Sequence, residues 1–263
     1  MRLIAVVVAA ALVAGPALVA QTTPPQPPPE PEPVTTVVIP VVGSILGANG
    51  VRWKTDLELH NGESHEVTVA IELATDPDRV LLMPMAPGQG IRFLDVLGEA
   101  FGADGLMSPI LVRTSGRRSV SIRATAYGAR GAESFQPQPI TINYGPTYAP
   151  ARVLYGLSFS DDLRTNIGLA NLSSADADFT LALQRIPGRN LAVRRVRVPR
   201  LALWHFSIQT AFPMITRGDS FAVVIETSVA DTCVYGSVIE NATNSARFVD
   251  PVFGAPTPRQ PER

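Results

Sequence analysis

Six arginines crowd the stretch Gln184–Arg200, QRIPGRNLAVRRVRVPR. Arg185, Arg189, Arg194, Arg195, Arg197 and Arg200 are therefore the candidate anion-binding residues, because guanidinium groups present forked N–H donors that match carboxylate, phosphate and sulfate oxygens. Arg195 and Arg197 alternate with Val196 and Val198, so in a strand the two arginines share the face opposite the valines. The same stripe would keep an edge strand from pairing with another chain. Both readings follow from the residues: a receptor for an anionic polymer, and a protected edge.

Other chemistry-bearing groups are sparser. Asp161-Asp162, with Asp176 and Asp178 further along, offers oxygen ligands for a cation, although Asp176 and Asp178 alternate with Ala177 and Phe179 as a solvated strand face does. His60 and His65 lie near Glu63 and Glu66 without a recognised ligand spacing. His205 sits between Trp204 and Phe206, a setting for a hydrogen-bonded, half-buried ring. Cys233 is the only cysteine, so no internal disulfide forms, and a buried thiol on an inward strand position is expected. There is no GxSxG, no HExxH and no Gly-rich phosphate loop with its lysine. We assign no catalytic residue, metal ligand or cofactor site.

The elements that carry these groups are strands, and one pair of them is written twice. In Trp53–Leu73, WKTDLELHNGESHEVTVAIEL, residues Trp53, Thr55, Leu57 and Leu59 alternate with Lys54, Asp56, Glu58 and His60; Val67, Val69, Ile71 and Leu73 resume the alternation after Asn61-Gly62. This predicts two neighbouring antiparallel strands joined by a turn. Moving 110 positions on without a gap gives Leu163–Leu183, LRTNIGLANLSSADADFTLAL, in which every inward position is again apolar or Thr. Thr55/Thr165, Leu59/Leu169, Asn61/Asn171, Ser64/Ser174 and Leu73/Leu183 are identical, which argues for an internal duplication. Asp95 is placed to cap a short helix ended by Gly102. Residues 128–148 read as a closing loop and linker.

Residues 1–20, MRLIAVVVAAALVAGPALVA, have the layout of a secretory signal peptide, and an uncleaved segment of this kind would be the only membrane attachment. Residues 21–34 are a Pro-rich spacer of polyproline character, and residues 253–263 read as an unstructured tail. Without Arg2 the chain carries 21 basic and 23 acidic residues, which gives no general attraction to nucleic acid. The fold expected is all-β: two tandem antiparallel sandwiches at residues 35–144 and 145–252, each with six or seven short strands.

The frames VIPVVGSILGANGVRWKTDLELHN, IRFLDVLGEAFG and LRTNIGLANLS resemble segments of largely uncharacterised exported bacterial proteins with tandem immunoglobulin-like β-sandwich repeats. The resemblance covers most of Val37–Val249 and brings no catalytic or binding residues with it. It supports the fold and says little about activity. Taken with the export signal and the missing catalytic motifs, the chain reads as a secreted, periplasmic or cell-surface protein without enzymatic activity, a binding or scaffolding module whose partner is an envelope protein or an anionic polysaccharide. A lectin-like module using the Arg stretch and a secreted hydrolase with an unrecognised site are the alternatives.

Overall fold

The computed structural model describes residues 34–115, 120–131, 133–135, 137–144, 151–185, 189–215 and 217–253. The expected signal peptide, nearly all of the Pro-rich spacer and the tail beyond Phe253 lie outside the described residues. The first half runs β1 (Val34–Leu46), β2 (Arg52–Asn61), β3 (Val67–Leu73), β4 (Val80–Met85), β5 (Gly90–Phe93), α1 (Val96–Phe101), β6 (Leu106–Ser115) and β7 (Val120–Arg130). Three short strands follow, β8 (Glu133–Ser134), β9 (Gln138–Ile140) and β10 (Asn143–Tyr144). The second half runs β11 (Ala151–Phe159), β12 (Leu163–Asn171), β13 (Ala177–Arg185), β14 (Arg189–Val198), β15 (Ala202–Ser207), α2 (Ile208–Ala211), β16 (Gly218–Thr227), β17 (Thr232–Glu240), β18 (Ala246–Val249) and β19 (Val252–Phe253).

The strand pairings repeat. In the first half β4-β3-β6-β1 form one wall and β5-β2-β7 the other, the two being joined into one ten-stranded sheet where the end of β1 (Ser44–Leu46) pairs with the start of β2 (Arg52–Lys54); in the second half the walls β14-β13-β16-β11 and β15-β12-β17 belong to separate sheets. All of these pairings are antiparallel. The walls enclose separate apolar cores, one around Leu57, Leu59, Ile71 and Val112, the other around Leu169, Phe179, Leu181 and Val223. In an immunoglobulin constant-type sandwich the first strand lies beside the second, in the order ABED against CFG. Here the first strand of each half runs beside the sixth and the seventh beside the second, so the terminal strands occupy each other's places, although β1 also pairs with β2 over its last three residues.

Strand parity is as the alternation requires: Val67, Val69, Ile71 and Leu73, and Ala177, Phe179, Leu181 and Leu183, are all at most 1% exposed. The expected turn-linked pair, however, is not a pair. β2 and β3 belong to opposite walls, as do β12 and β13, and the five-residue corner carries the chain across the core. Asn61 makes that crossing. Its Nδ2 donates to His65 O (2.9 Å), Met85 O (2.9 Å) and Ala86 O (3.1 Å), and its Oδ1 accepts from Glu63 N (2.9 Å). Asn171 repeats every contact: Nδ2 to Ala175 O (2.8 Å), Val198 O (3.1 Å) and Pro199 O (3.1 Å), with Ser173 N on Oδ1 (3.1 Å). A buried amide can bind backbone groups that neither sheet can pair, which is why the residue recurs.

The closing stretch 128–148 contains strands where a loop was expected. β9 pairs with β7 and β10 with β1, and the equivalent β18 and β19 extend the second half's two walls. Phe253, expected in the tail, belongs to β19. The helix prediction holds: Asp95 Oδ1 accepts from Gly98 N (3.1 Å), and Gly102 ends α1 in the left-handed region (φ 59°).

The described parts of both halves lie within one compact unit. Phe248 of β18 packs against the first half's core. Val38 of β1 meets Ala170 and Cys233 in a third buried cluster. Cys233 is thus buried as expected, but on the face turned away from its own sandwich core, where Val234 points inward instead. Burial pushes its thiol pKa up to about 11.

Candidate ligand cleft between the halves

The outer face of the β15-β12-β17-β18 wall turns towards the first half. Cross-strand register dictates what it presents: Gly168 is opposite Tyr235 on one side and His205 on the other, and Asn166 is opposite Ser237, which is opposite Phe248. Gly168 is required at the centre of the row, since a Cβ there would overlap the Tyr235 ring lying flat across the strand. The ring reaches over Gly168, so that the Tyr235 hydroxyl and His205 Nδ1 are 2.9 Å apart. Tyr235 stacks on Phe248 with centroids 5.3 Å apart and an interplanar angle of 11°, and lies 5.9 Å from the His205 ring.

These side chains form one side of a cleft of about 350 Å³, whose other side includes Trp53, Lys54 and Gln138 of the first half. Its volume falls within the usual range for small-ligand sites, roughly 300–1,000 Å³. The charges are unevenly balanced. Lys54 Nζ is 2.9 Å from Asp95 Oδ2, and this bond raises the lysine's pKa. Arg164, also on the lining, donates to two neutral amide oxygens, Asn241 Oδ1 at 2.7 Å and Asn244 Oδ1 at 3.1 Å. Among the described residues it makes no ion pair, and burial lowers its pKa. Among the described residues the cleft therefore holds one positive charge without an ion-pair partner, that of Arg164.

Crowding by protein pushes the His205 pKa down to about 4. The ring is therefore neutral at physiological pH. The sign follows from an unfolded value near 6.5. Between there and the folded value the unfolded chain binds more protons, so this group's contribution is fully present above about pH 6.5 and is lost on acidification through that window. Burial raises the Tyr235 pKa, which keeps its hydroxyl protonated.

The arginine stretch has a different character. β13 and β14 do form the expected hairpin, with β14 at the edge of its sheet. Arg195 and Arg197 are exposed on the face opposite Val196 and Val198. Arg197 Nε is 3.1 Å from Asp176 Oδ2, and the Arg200 backbone N–H donates to the other oxygen of that carboxylate (3.1 Å); these two contacts lower the Asp176 pKa. Arg194 lies on the other face and donates to Thr210 O (2.7 Å) and Ala211 O (3.1 Å) at the end of α2. Arg185 is exposed at the end of β13, paired through the backbone with Arg189, whose side chain lies outside the described residues. Among the described side chains, Arg194 thus lies apart from the exposed pair Arg195 and Arg197.

Of the acidic residues considered for a cation, Asp161 pairs with Arg217 (3.2 Å) and Asp176 is engaged as above. Among the described residues no three His, Cys, Asp or Glu side chains could hold a metal ion together. His60 and His65 show no such grouping. The cleft residues were missed because Trp53, Arg164, His205, Tyr235 and Phe248 are scattered through the chain without a motif. Gly168 in mid-strand was the available signal, since an interior strand glycine marks a close approach.

No protein-family model matches the chain, and no curated protein matches it. Among solved structures, it is similar to Bacteroides uniformis beta-glucuronidase 2 covalently bound to cyclophellitol-6-carboxylate aziridine. The identity is 9% and the TM-score 0.17, covering 77% of this chain and 25% of that one. A calcium binding mutant of that enzyme gives 9% identity and a TM-score of 0.17, with 80% and 27% covered. The chain spans about a quarter of those proteins' length, and likeness at this level carries no argument about activity.

Proposed function

We propose that this is an exported, non-enzymatic binding module of the bacterial cell envelope or extracellular space, built from two tandem immunoglobulin-like sandwiches held out on a Pro-rich spacer, with its ligand site in the cleft between them. One observation carries the reading: the cleft joins the part-exposed aromatic side chains of Trp53 and Phe248, the latter stacked on the buried Tyr235, to an arginine that has no carboxylate partner among the described residues. Apolar walls with a few oriented polar groups are what small-ligand sites consist of. Binding is favoured over catalysis because the titratable groups are already engaged, His205 with Tyr235 and Lys54 with Asp95. Export rests on residues 1–20, and the envelope setting on the resemblance of the repeat frames.

The arginine hairpin supports a second reading, adhesion to an anionic polysaccharide, through the exposed Arg195 and Arg197. Its position at a sheet edge equally fits protection against pairing.

Trp53 and Trp204 are the two tryptophans, so Trp204→Phe leaves one reporter, in the cleft. Titrating that variant with a panel of sugars, sugar acids and amino acids should produce saturable changes in Trp53 emission for at least one chemical class. A panel that leaves the emission unchanged throughout would count against the cleft as the binding site.

A further inference from the structure

We infer that the cleft recognises an acidic sugar, with Arg164 receiving its carboxylate and the aromatic side chains receiving its ring. The inference rests on the cleft being the ligand site and specifies what enters it. Arg164 has five N–H donors, of which two are taken by Asn241 and Asn244, so among the described residues three remain for a ligand. The two asparagine contacts fix the guanidinium without neutralising it. Asn241 is itself held, its Nδ2 donating to Asp161 O (2.8 Å), and Asn244 is buried with its backbone in the left-handed region (φ 53°). A charge set in place by neutral oxygens and partly withdrawn from water is stabilised by an incoming anion, and a planar carboxylate matches the guanidinium fork.

The rest of the lining selects a hydroxylated ring over a bare anion. Asn166 and Ser237 face each other across β12 and β17, with Gln138 on the opposite side, and together they supply amide and hydroxyl groups to ring hydroxyls. Trp53 and Phe248, both part-exposed on the lining, supply apolar faces for the ring's C–H surface, with the buried Tyr235 ring backing Phe248. Lys54 is matched by Asp95, so the anion preference comes from one residue.

The test uses the full chain and two probes that differ only at the acidic carbon, galacturonate and galactose, with binding followed by calorimetry. Galacturonate should bind about ten- to a hundredfold more tightly than galactose, the size of a charge-assisted hydrogen-bonded contact. Arg164→Gln should remove that difference, Arg164→Lys should retain part of it, and higher salt should weaken only the galacturonate complex. Thermal melts of both variants check that the fold persists, and Asn241→Ala, which loosens the guanidinium while leaving its charge, should lower the preference if Arg164→Gln does not fold. Equal binding of the two sugars, or a preference indifferent to both Arg164→Gln and Asn241→Ala, overturns the carboxylate assignment while leaving the cleft as a site. Failure of both sugars, together with silence from every ligand in the Trp53 titration, overturns the cleft reading itself.

Discussion

Leu169→Asp should abolish the cooperative unfolding transition of the second half, and Leu59→Asp that of the first. Each leucine is at most 2% exposed within its core. Removing the side chain costs about 2–5 kcal/mol, and an unpaired buried carboxylate adds on the order of several more. Domains of this size are stable by only about 5–15 kcal/mol. The damage should cross between halves, because Phe248 of β18 packs on the first core and Val38 of β1 packs on Ala170 and Cys233. Glu58→Ala, by contrast, removes an exposed contact to Arg92 (3.3 Å) and should change stability by less than about 1 kcal/mol. Denaturant melts followed by circular dichroism give both numbers, and a damaging Glu58→Ala beside a tolerated Leu59→Asp would invert the strand parity.

Asn171→Ala should cost about 3 kcal/mol, and Asn61→Ala about as much. Each amide is fully buried and donates to three backbone carbonyls at the corner where the chain changes walls. Deleting it leaves buried acceptors without partners, at about 1–3 kcal/mol for each group left unsatisfied. Asp is the sharper probe: Asn171→Asp keeps the shape but points acceptors at acceptors, so it should be at least as damaging as Ala near neutral pH. A shift in urea midpoint with an unchanged slope would register the loss. Changes below about 1 kcal/mol for all three variants would mean that the corner is held by its strands alone.

These two sites show how far the residues alone could be read. Alternation identified the buried set, and the identical positions Thr55/Thr165, Leu59/Leu169 and Asn61/Asn171 mark fully or nearly fully buried places in both halves. Thr55 Oγ1 accepts from Gly43 N (3.0 Å) and Thr165 Oγ1 donates to Ser158 O, so each threonine ties its strand to the one before it. Alternation reports which face points inward and is silent about which wall a strand joins. β2 and β3 therefore looked like neighbours when they are opposite sides of one core. Cys233 was misplaced for the same reason: on a strand buried on both faces, an inward position and an interface position are both apolar. β9 and β10, at three and two residues, are too short to show a period. The cleft depends on cross-strand register, which brings Gly168, Tyr235 and His205 into one row and which no local pattern encodes.

Where a ligand lands on the molecule tests the account most directly. Amide and indole chemical shifts recorded during a galacturonate titration should move at Trp53, Arg164, Asn166, Tyr235 and Ser237, with the amides of residues 189–198 unaffected. Shifts confined to Arg195, Arg197 and their strand neighbours would move the site to the edge hairpin and contradict the cleft.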